Sequence, residues 1–313
     1  MSAVELHIFT EPQQGASQEQ LRTVAVAAER LGFAGFFRSD HLMAIGAPPR
    51  PPGPTESWAS LADVAAATRR IRIGTLMTSA TFRLPGPLAV AVAQVDQVSG
   101  GRVDFGFGAG WYQAEHLAYG IPFPEVGERM ERFAEQLEIV RGIWSTKAGG
   151  SFSHQGRHYQ LRDCPSLPRP AQAGGPPILI GGMGERTTPR LAARHAAEFN
   201  CAFVPPEAAG IQFDRVRRAC AAIGRDPGSM RWSLALTVAC GKDEREVARR
   251  CANIDRDPET LSEVGLAGTP ERILSRLEEV AELGCQRAYL QLLDLGDTDH
   301  LELLAEQVLP QVR

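Results

Sequence analysis

The sequence predicts an α/β fold in which eight parallel strands, each followed by a helix, close into a (β/α)8 barrel with insertions. Two observations predict it. Strand-like and helical apolar patterns alternate along almost the whole chain, and eight strand candidates can be counted. Four apolar runs also end in small or polar residues: Phe36-Phe37-Arg38-Ser39-Asp40-His41, Ile73-Gly74-Thr75-Leu76-Met77-Thr78, Val103-Asp104-Phe105-Gly106-Phe107-Gly108-Ala109-Gly110-Trp111 and Ile178-Leu179-Ile180-Gly181-Gly182-Met183-Gly184. Strand ends are where α/β proteins keep their chemistry, because backbone donors and short side chains point there into a cleft. One pocket built from all four is the expectation.

The elements follow in order. Residues 4–9 read as the first strand. Ser17, with Gln20 at the box position, caps a helix whose apolar stripe is Leu21, Val24, Ala25, Ala28 and Leu31 and which Gly32 ends. Residues 33–37 are the second strand, 57–68 an alanine-rich helix, 71–77 the third strand, 87–98 a helix and 103–107 the fourth strand. A long helix starts near Glu128, shows Met130, Phe133, Leu137, Val140 and Trp144 on one face, and stops at Lys147-Ala148-Gly149-Gly150. Residues 151–177 hold short β-like pieces and five prolines, and read as an insertion within a single barrel domain spanning 1–313. Strands resume at 178–180, 198–202, 232–239 and 287–293. Between the last two, Thr269 as cap and Pro270 at the first position start a helix carrying Ile273, Leu277, Val280 and Leu283. A doubly wound open sheet is the alternative, but Thr10-Glu11-Pro12-Gln13-Gln14-Gly15 after strand one is not a G-x-G-x-x-G turn.

Bulk properties narrow the function. The 313 residues are 43% hydrophobic and 22% charged with a formal net charge of -4, which leaves no broad basic face for nucleic acid or an anionic membrane. The expected partner is a small molecule. No apolar run approaches the roughly 18 to 20 residues of a membrane span, and the chain enters its first strand without a leader-like segment, so a cytoplasmic protein is expected. Six cysteines without a C-x-x-C pair read as reduced core thiols, and the scattered histidines 116, 154, 158, 195 and 300 predict no metal.

Some features can be read from residue chemistry directly. A histidine at a barrel mouth can exchange a proton near neutral pH, and a neighbouring carboxylate can orient it and raise its pKa, so Asp40-His41 reads either as a candidate acid/base with its partner or as a strand-end histidine satisfying backbone carbonyls beside a capping Asp40. Gly106, Gly108 and Gly110 alternate, so three missing side chains on one side of a strand would let a ring or phosphate approach the backbone. Gly181-Gly182-Met183-Gly184 before a helix that begins near Thr187 makes an anion site, with Arg186 adding charge. Thr10 and Glu11 could line the pocket, and the run from Pro48 to Pro54 is a stiff loop placed either as a lid or as a connector.

Taken together, Arg38-Ser39-Asp40-His41, Gly74-Thr75-Leu76-Met77-Thr78 with Thr81-Phe82-Arg83, Ser99-Gly100-Gly101-Arg102-Val103 leading to Gly108-Ala109-Gly110-Trp111, and Pro177-Ile178-Leu179-Ile180-Gly181-Gly182 resemble the luciferase-like monooxygenase superfamily. Within it they are most similar to the branch using the deazaflavin coenzyme F420. The resemblance runs from Val4 to Leu309. It implies a TIM-barrel oxidoreductase that binds F420, or in the rival reading reduced FMN as a monooxygenase, and a homodimer. A non-catalytic flavin-binding barrel is the third reading. The resemblance also implies that Asp40 and His41 lie beside cofactor and substrate and that Leu76, Met77 and Thr78 back the ring across a cis Leu76–Met77 peptide. Ala109, Gly110 and Trp111 would touch the cofactor, and Gly181, Gly182, Met183 and Gly184 would hold its phosphate. Trp111 and Glu11 are the implied substrate contacts. The branch's sugar-phosphate dehydrogenases place a carboxylate where Trp111 stands, so glucose 6-phosphate is not the expected substrate.

Overall fold

The computed structural model describes residues 4–48 and 50–312; the expected domain limits Met1 and Arg313, and Pro49 of the proline-rich loop, lie outside them. Among the described residues eight strands form a closed parallel ring: β1 (Glu5–Thr10), β2 (Gly35–Arg38), β3 (Arg72–Thr75), β4 (Val103–Gly108), β5 (Ile178–Gly181), β6 (Glu198–Ala202), β7 (Arg231–Cys240) and β8 (Arg287–Leu292). Each pairs with the next, and the ring closes through β8 against β1, with Glu5 opposite Arg287. The predicted barrel is therefore the observed one, a TIM barrel.

Local chemistry explains most element ends. Helix α1 (Gln18–Leu31) carries both halves of the predicted capping box: the Gln20 N–H donates to Ser17 Oγ at 3.1 Å, and the Ser17 N–H donates to Gln20 Oε1 at 2.9 Å. Its carboxyl end explains a two-residue error in β2. The Phe33 N–H donates to the Ala28 carbonyl at 3.0 Å, so that residue still belongs to the helix cap and β2 starts at Gly35. Helices α2 (Ser57–Ala67) and α3 (Pro85–Ser99) follow β2 and β3, and α3 begins two residues earlier than its pattern because Pro85 fits the first turn. After β4 come the short α4 (Gln113–Ala118) and the long α5 (Val126–Ser145). The region read as an insertion holds an antiparallel hairpin, Ser151–Gln155 with Gln160–Pro165. Next come α6 (Thr187–His195), α7 (Pro206–Ala222), α8 (Glu244–Asn253), α9 (Pro258–Val264), α10 (Pro270–Glu282) and α11 (Thr298–Leu303). Thr269 precedes α10 as expected but makes no side-chain capping bond.

The main core lies between strands and helices. A smaller cluster of Phe9, Phe37, Leu76, Leu179, Ala235 and Tyr289 fills the barrel itself. Towards the strand starts an ionic layer closes the lumen: Arg287 Nη1 donates to Glu198 Oε2 at 2.7 Å and Asp104 Oδ2 at 3.1 Å, and Tyr289 donates to Glu198 Oε1 at 2.7 Å. With that end sealed by satisfied charges, the open chemistry is left to the carboxyl ends of the strands. All six cysteines are free thiols, and burial pushes Cys201, Cys240 and Cys285 up to about 12, far from reactive thiolates. Among the described residues no helix is long and apolar enough to cross a membrane.

Candidate active site

At the end of β2, Arg38 is fully buried and ties the strand to the segment preceding α2, donating to the Ser39 carbonyl at 2.8 Å and to Thr55 Oγ1 and O at 2.7 and 2.9 Å. Asp40 follows, also buried, but it does not orient His41 as the sequence led us to expect. Its two oxygens accept from Arg83 Nη1 at 2.5 Å and Nη2 at 3.0 Å, and Oδ2 also accepts the Ser79 N–H at 3.1 Å. Burial pushes the Asp40 carboxyl up, yet the Arg83 charge and its hydrogen bonds outweigh that and hold it below the usual range. Asp40 thus clamps the loop after β3 onto the end of β2.

The carboxylate that orients His41 comes from α4. His41 Nδ1 lies 3.0 Å from Glu115 Oε1, and the Leu42 N–H donates to Glu115 Oε2 at 2.9 Å, so one buried side chain fixes both ring and backbone. Burial lowers the His41 pKa, but the hydrogen bond and charge of Glu115, then the charges of Glu11 and Asp40, raise it above the ordinary value. The net result is an imidazolium that holds its proton to higher pH than a free histidine does. Trp111 stands edge-on to His41 with ring centroids 5.7 Å apart, and Tyr112 packs 6.2 Å from the same ring. Helix α4 is held in place by its next residue: His116 Nε2 pairs with Thr81 Oγ1 at 2.6 Å and Nδ1 with the Tyr112 carbonyl at 2.7 Å.

The wall opposite is the end of β3. The Leu76–Met77 peptide is cis, as the resemblance implied, and pairing resumes beyond it where Thr78 and Ser79 run beside Phe107 and Gly108. Thr75 and Thr78 hydroxyls lie 2.9 Å apart, and Thr75 Oγ1 donates to the Gly106 carbonyl at 2.9 Å. Here the reading of the three alternating glycines needs correction. A Cβ at Gly106 would land on the Thr75 carbonyl, and one at Gly110 would sit 2.5 Å from Thr81 Oγ1, so these two make room for protein and not for a ligand. Gly108 differs: the Met77 side chain, 3.7 Å from such a Cβ, is in ordinary contact. Met77 also reaches Gly181, where an added Cβ would strike its Cε. Met77 therefore packs against both Gly108 and Gly181. Ala109 is half-buried against the main core, and Trp111 is 61% exposed.

After β5, Gly182 takes φ 123°, a conformation that suits glycine, and Gln212 Nε2 donates to the carbonyls of both Gly182 and Gly184 at 2.9 Å. With those carbonyls pinned, the exposed loop leads into α6, whose first residues receive no side-chain cap. An uncapped helix start after a glycine loop fits a phosphate. Met183 is 39% exposed on the same loop. At the end of β1, Thr10 donates its hydroxyl to the Phe37 carbonyl at 3.2 Å and is a buried structural residue. Glu11 is raised by burial, against which the His41 charge acts to lower it. Beside it Gln13, buried, accepts from Ser39 Oγ at 2.6 Å and leaves Nε2 without a partner, a donor suited to a ligand's polar edge.

The structure thus joins His41 and Trp111 to Glu115, and Met77 to Gly181, while Glu11 and Asp40 act on His41 through charge. Sequence reasoning missed Glu115, Arg83, Gln13 and Gln212. Arg83 and Gln13 stood within quoted stretches, but none of the four carries a periodic or spacing signal for these roles.

A parallel barrel thus carries at its mouth an acid-paired histidine and a glycine loop that leads into an uncapped helix start. The family profile described as luciferase-like monooxygenase matches residues 4–256, and the chain belongs to that family. It is 36% identical over 192 residues to an F420-dependent glucose-6-phosphate dehydrogenase of Microbacterium testaceum, covering 58% of this chain and 53% of that protein. It is 30% identical over 189 residues to an FMNH2-dependent dimethylsulfone monooxygenase of Pseudomonas putida, covering 58% and 50%. The chain spans about half the length of these curated relatives. An F420-dependent secondary alcohol dehydrogenase, solved with an F420-acetone adduct, superposes with a TM-score of 0.84 at 20% identity, with 100% of both chains covered.

Proposed function

We propose that this protein is an F420-dependent oxidoreductase that moves a hydride between the deazaflavin C5 and a small organic substrate, with His41 exchanging the accompanying proton. The observation that carries the reading is the His41–Glu115 pair at the barrel mouth, and the identity to an F420-dependent dehydrogenase supports the choice of cofactor. When bound, F420 supplies the carbon that gives or takes the hydride. The chain supplies position and the proton. Gly181, Gly182, Met183 and Gly184 with the start of α6 would hold the phosphate, and Leu76, Met77 and Thr78 would back the ring, with Ala109, Gly110 and Trp111 at its flank. Asp40 keeps that wall in register through Arg83 and Ser79. Because Glu115 engages Nδ1 of His41, Nε2 is the nitrogen left to serve substrate, and the raised pKa favours the protonated form that would donate from it.

Substrate would lie against Trp111 and near Glu11. A flavin monooxygenase using reduced FMN is the second reading, favoured by the identity to the dimethylsulfone enzyme. Titrating the purified protein with F420 and with FMN, read by tryptophan quenching, separates the two: F420 bound tightly and FMN weakly supports the deazaflavin assignment, and the reverse preference replaces it. His41→Ala should then cost far more turnover than cofactor affinity; equal turnover in the two proteins would remove His41 from the chemistry.

A further inference from the structure

At the sealed end of the barrel, remote from His41, a cavity of about 410 Å³ opens where the start of β5 meets the carboxyl end of α6, helix α5 and the segment after α7. Arg141, Arg194, Arg225 and His195 line it together with Trp144 and Ser229. Arg141 and Arg225 have carbonyl or hydroxyl partners and the Arg194 guanidinium has none, and among the described residues none of the three forms an ion pair. Arg141 Nη1 donates to the Arg194 carbonyl at 3.2 Å, and Arg225 donates from Nη1 to the Ala193 carbonyl at 3.0 Å and from Nε to Ser229 Oγ at 3.0 Å. With a longer bond from Arg225 Nη1 to the Ala192 carbonyl at 3.4 Å, these satisfy the last carbonyls of α6; Arg225 spends Nε and Nη1 on them, while most N–H groups of Arg141 and Arg194 stay unused.

His195 reports the resulting field. Its buried Nδ1 has no hydrogen-bond partner. Burial lowers its pKa to about 4, with the charges of Arg141 and Arg194 adding to the effect and no carboxylate opposing them. The cavity therefore gathers donors and positive charge with no anion to answer them. A net-acidic chain that concentrates three unpaired guanidinia in one concave place has the recognition chemistry of an oxyanion site, since planar N–H forks match phosphate oxygens and the field favours negative charge.

The geometry points to a second anion site here, taking a phosphate-type oxyanion either as free inorganic phosphate or as the phosphoryl group of a small phosphomonoester, and separate from the cofactor phosphate loop at the opposite end of α6. It does not depend on the proposed function. The test uses the whole protein. Calorimetric titration with inorganic phosphate and with glycerol 3-phosphate is paired with an NMR titration of the His195 ring. Saturable binding is expected, with His195 titrating about one pH unit higher when the anion is bound, because a neighbouring negative charge favours the imidazolium. Arg194→Gln removes the guanidinium that makes no bond to the fold, and should weaken this binding at least about tenfold, ~1.4 kcal/mol, without altering the unfolding midpoint. Arg141→Gln should do the same with a small loss of stability. Tighter binding of glycerol 3-phosphate assigns a phosphomonoester, and equal or weaker binding assigns free phosphate. No saturation below on the order of 10 mM, an unmoved His195, or unchanged affinity in Arg194→Gln would each overturn the site. Loss of phosphate binding in Gly182→Ala but not in Arg194→Gln would do so too, by locating the anion on the cofactor loop.

Discussion

Replacing Glu115 by Gln is the sharpest probe of the site, because it keeps the shape and removes the charge that sets His41. Glu115 accepts from His41 Nδ1 at 3.0 Å and from the Leu42 N–H at 2.9 Å; glutamine has one acceptor oxygen and can serve only one of them. The side chains of His41 and Glu115 are 16% and 2% exposed, so solvent screens the pair little. Opposite charges about 4 Å apart attract by about 4 kcal/mol at an effective dielectric of about 20, and the net worth of a hydrogen bond to a charged group is about 1.5–3 kcal/mol. The His41 pKa should therefore fall in Glu115→Gln, because both the hydrogen bond and the charge that raise it are lost or weakened. Stability follows with a defined sign. A histidine raised in the folded state contributes stability that is full below its unfolded pKa near 6.5 and is lost as pH rises through the folded value. The gap in unfolding free energy between native protein and variant should therefore be widest at a pH below 6.5 and should shrink, at a pH above the folded value, to the cost of the weakened Leu42 contact. An NMR titration of the His41 ring, with urea unfolding at the two pH values, measures both. The reasoning is refuted if His41 titrates unchanged in Glu115→Gln, or if Asp40→Asn moves it further.

Three other outcomes follow from the same geometry. Asp40→Asn leaves Arg83 facing a neutral amide in a buried clamp and should cost about 3 kcal/mol of stability in urea unfolding, whereas a loss under about 1 kcal/mol would mean that Glu56 holds Arg83 alone. Gly106→Ala forces a methyl group onto the Thr75 carbonyl and should lower stability by about 1–3 kcal/mol, while Gly86→Ala, with open space around the added Cβ, should change the unfolding midpoint little. Gly182→Ala strains a backbone at φ 123° and should weaken F420 and FMN alike, by about tenfold in a quenching titration, because both would use the same phosphate loop; a loss confined to one cofactor would contradict a shared site.

How much of this was legible is best judged from particular residues. The capping box at Ser17 and Gln20 and the four polar strand ends could be read directly, since caps and period-two runs are local physics. The cis Leu76–Met77 bond followed only from resemblance, as no local signal marks it. The role given to Asp40 was misplaced because adjacency in sequence was taken for adjacency in space; both residues lie in the loop beyond β2, where Asp40 turns to Arg83 and His41 turns to Glu115. The alternating glycines were likewise real as a pattern and misread as open space.

What the sequence by itself determined is the barrel, the order of its elements and the end that carries polar groups, because periodicity, caps and breakers act within a few residues. Only the tertiary structure decided which charges meet. His41 and Glu115 are 74 positions apart and Asp40 and Arg83 are 43 apart, and each pair is brought together by parallel strands whose crossovers set the contact. The space beside Gly106 was decided the same way, by the β3 backbone that packs there. Partners and empty volume are properties of closure, and no segment contains them until the ring is shut.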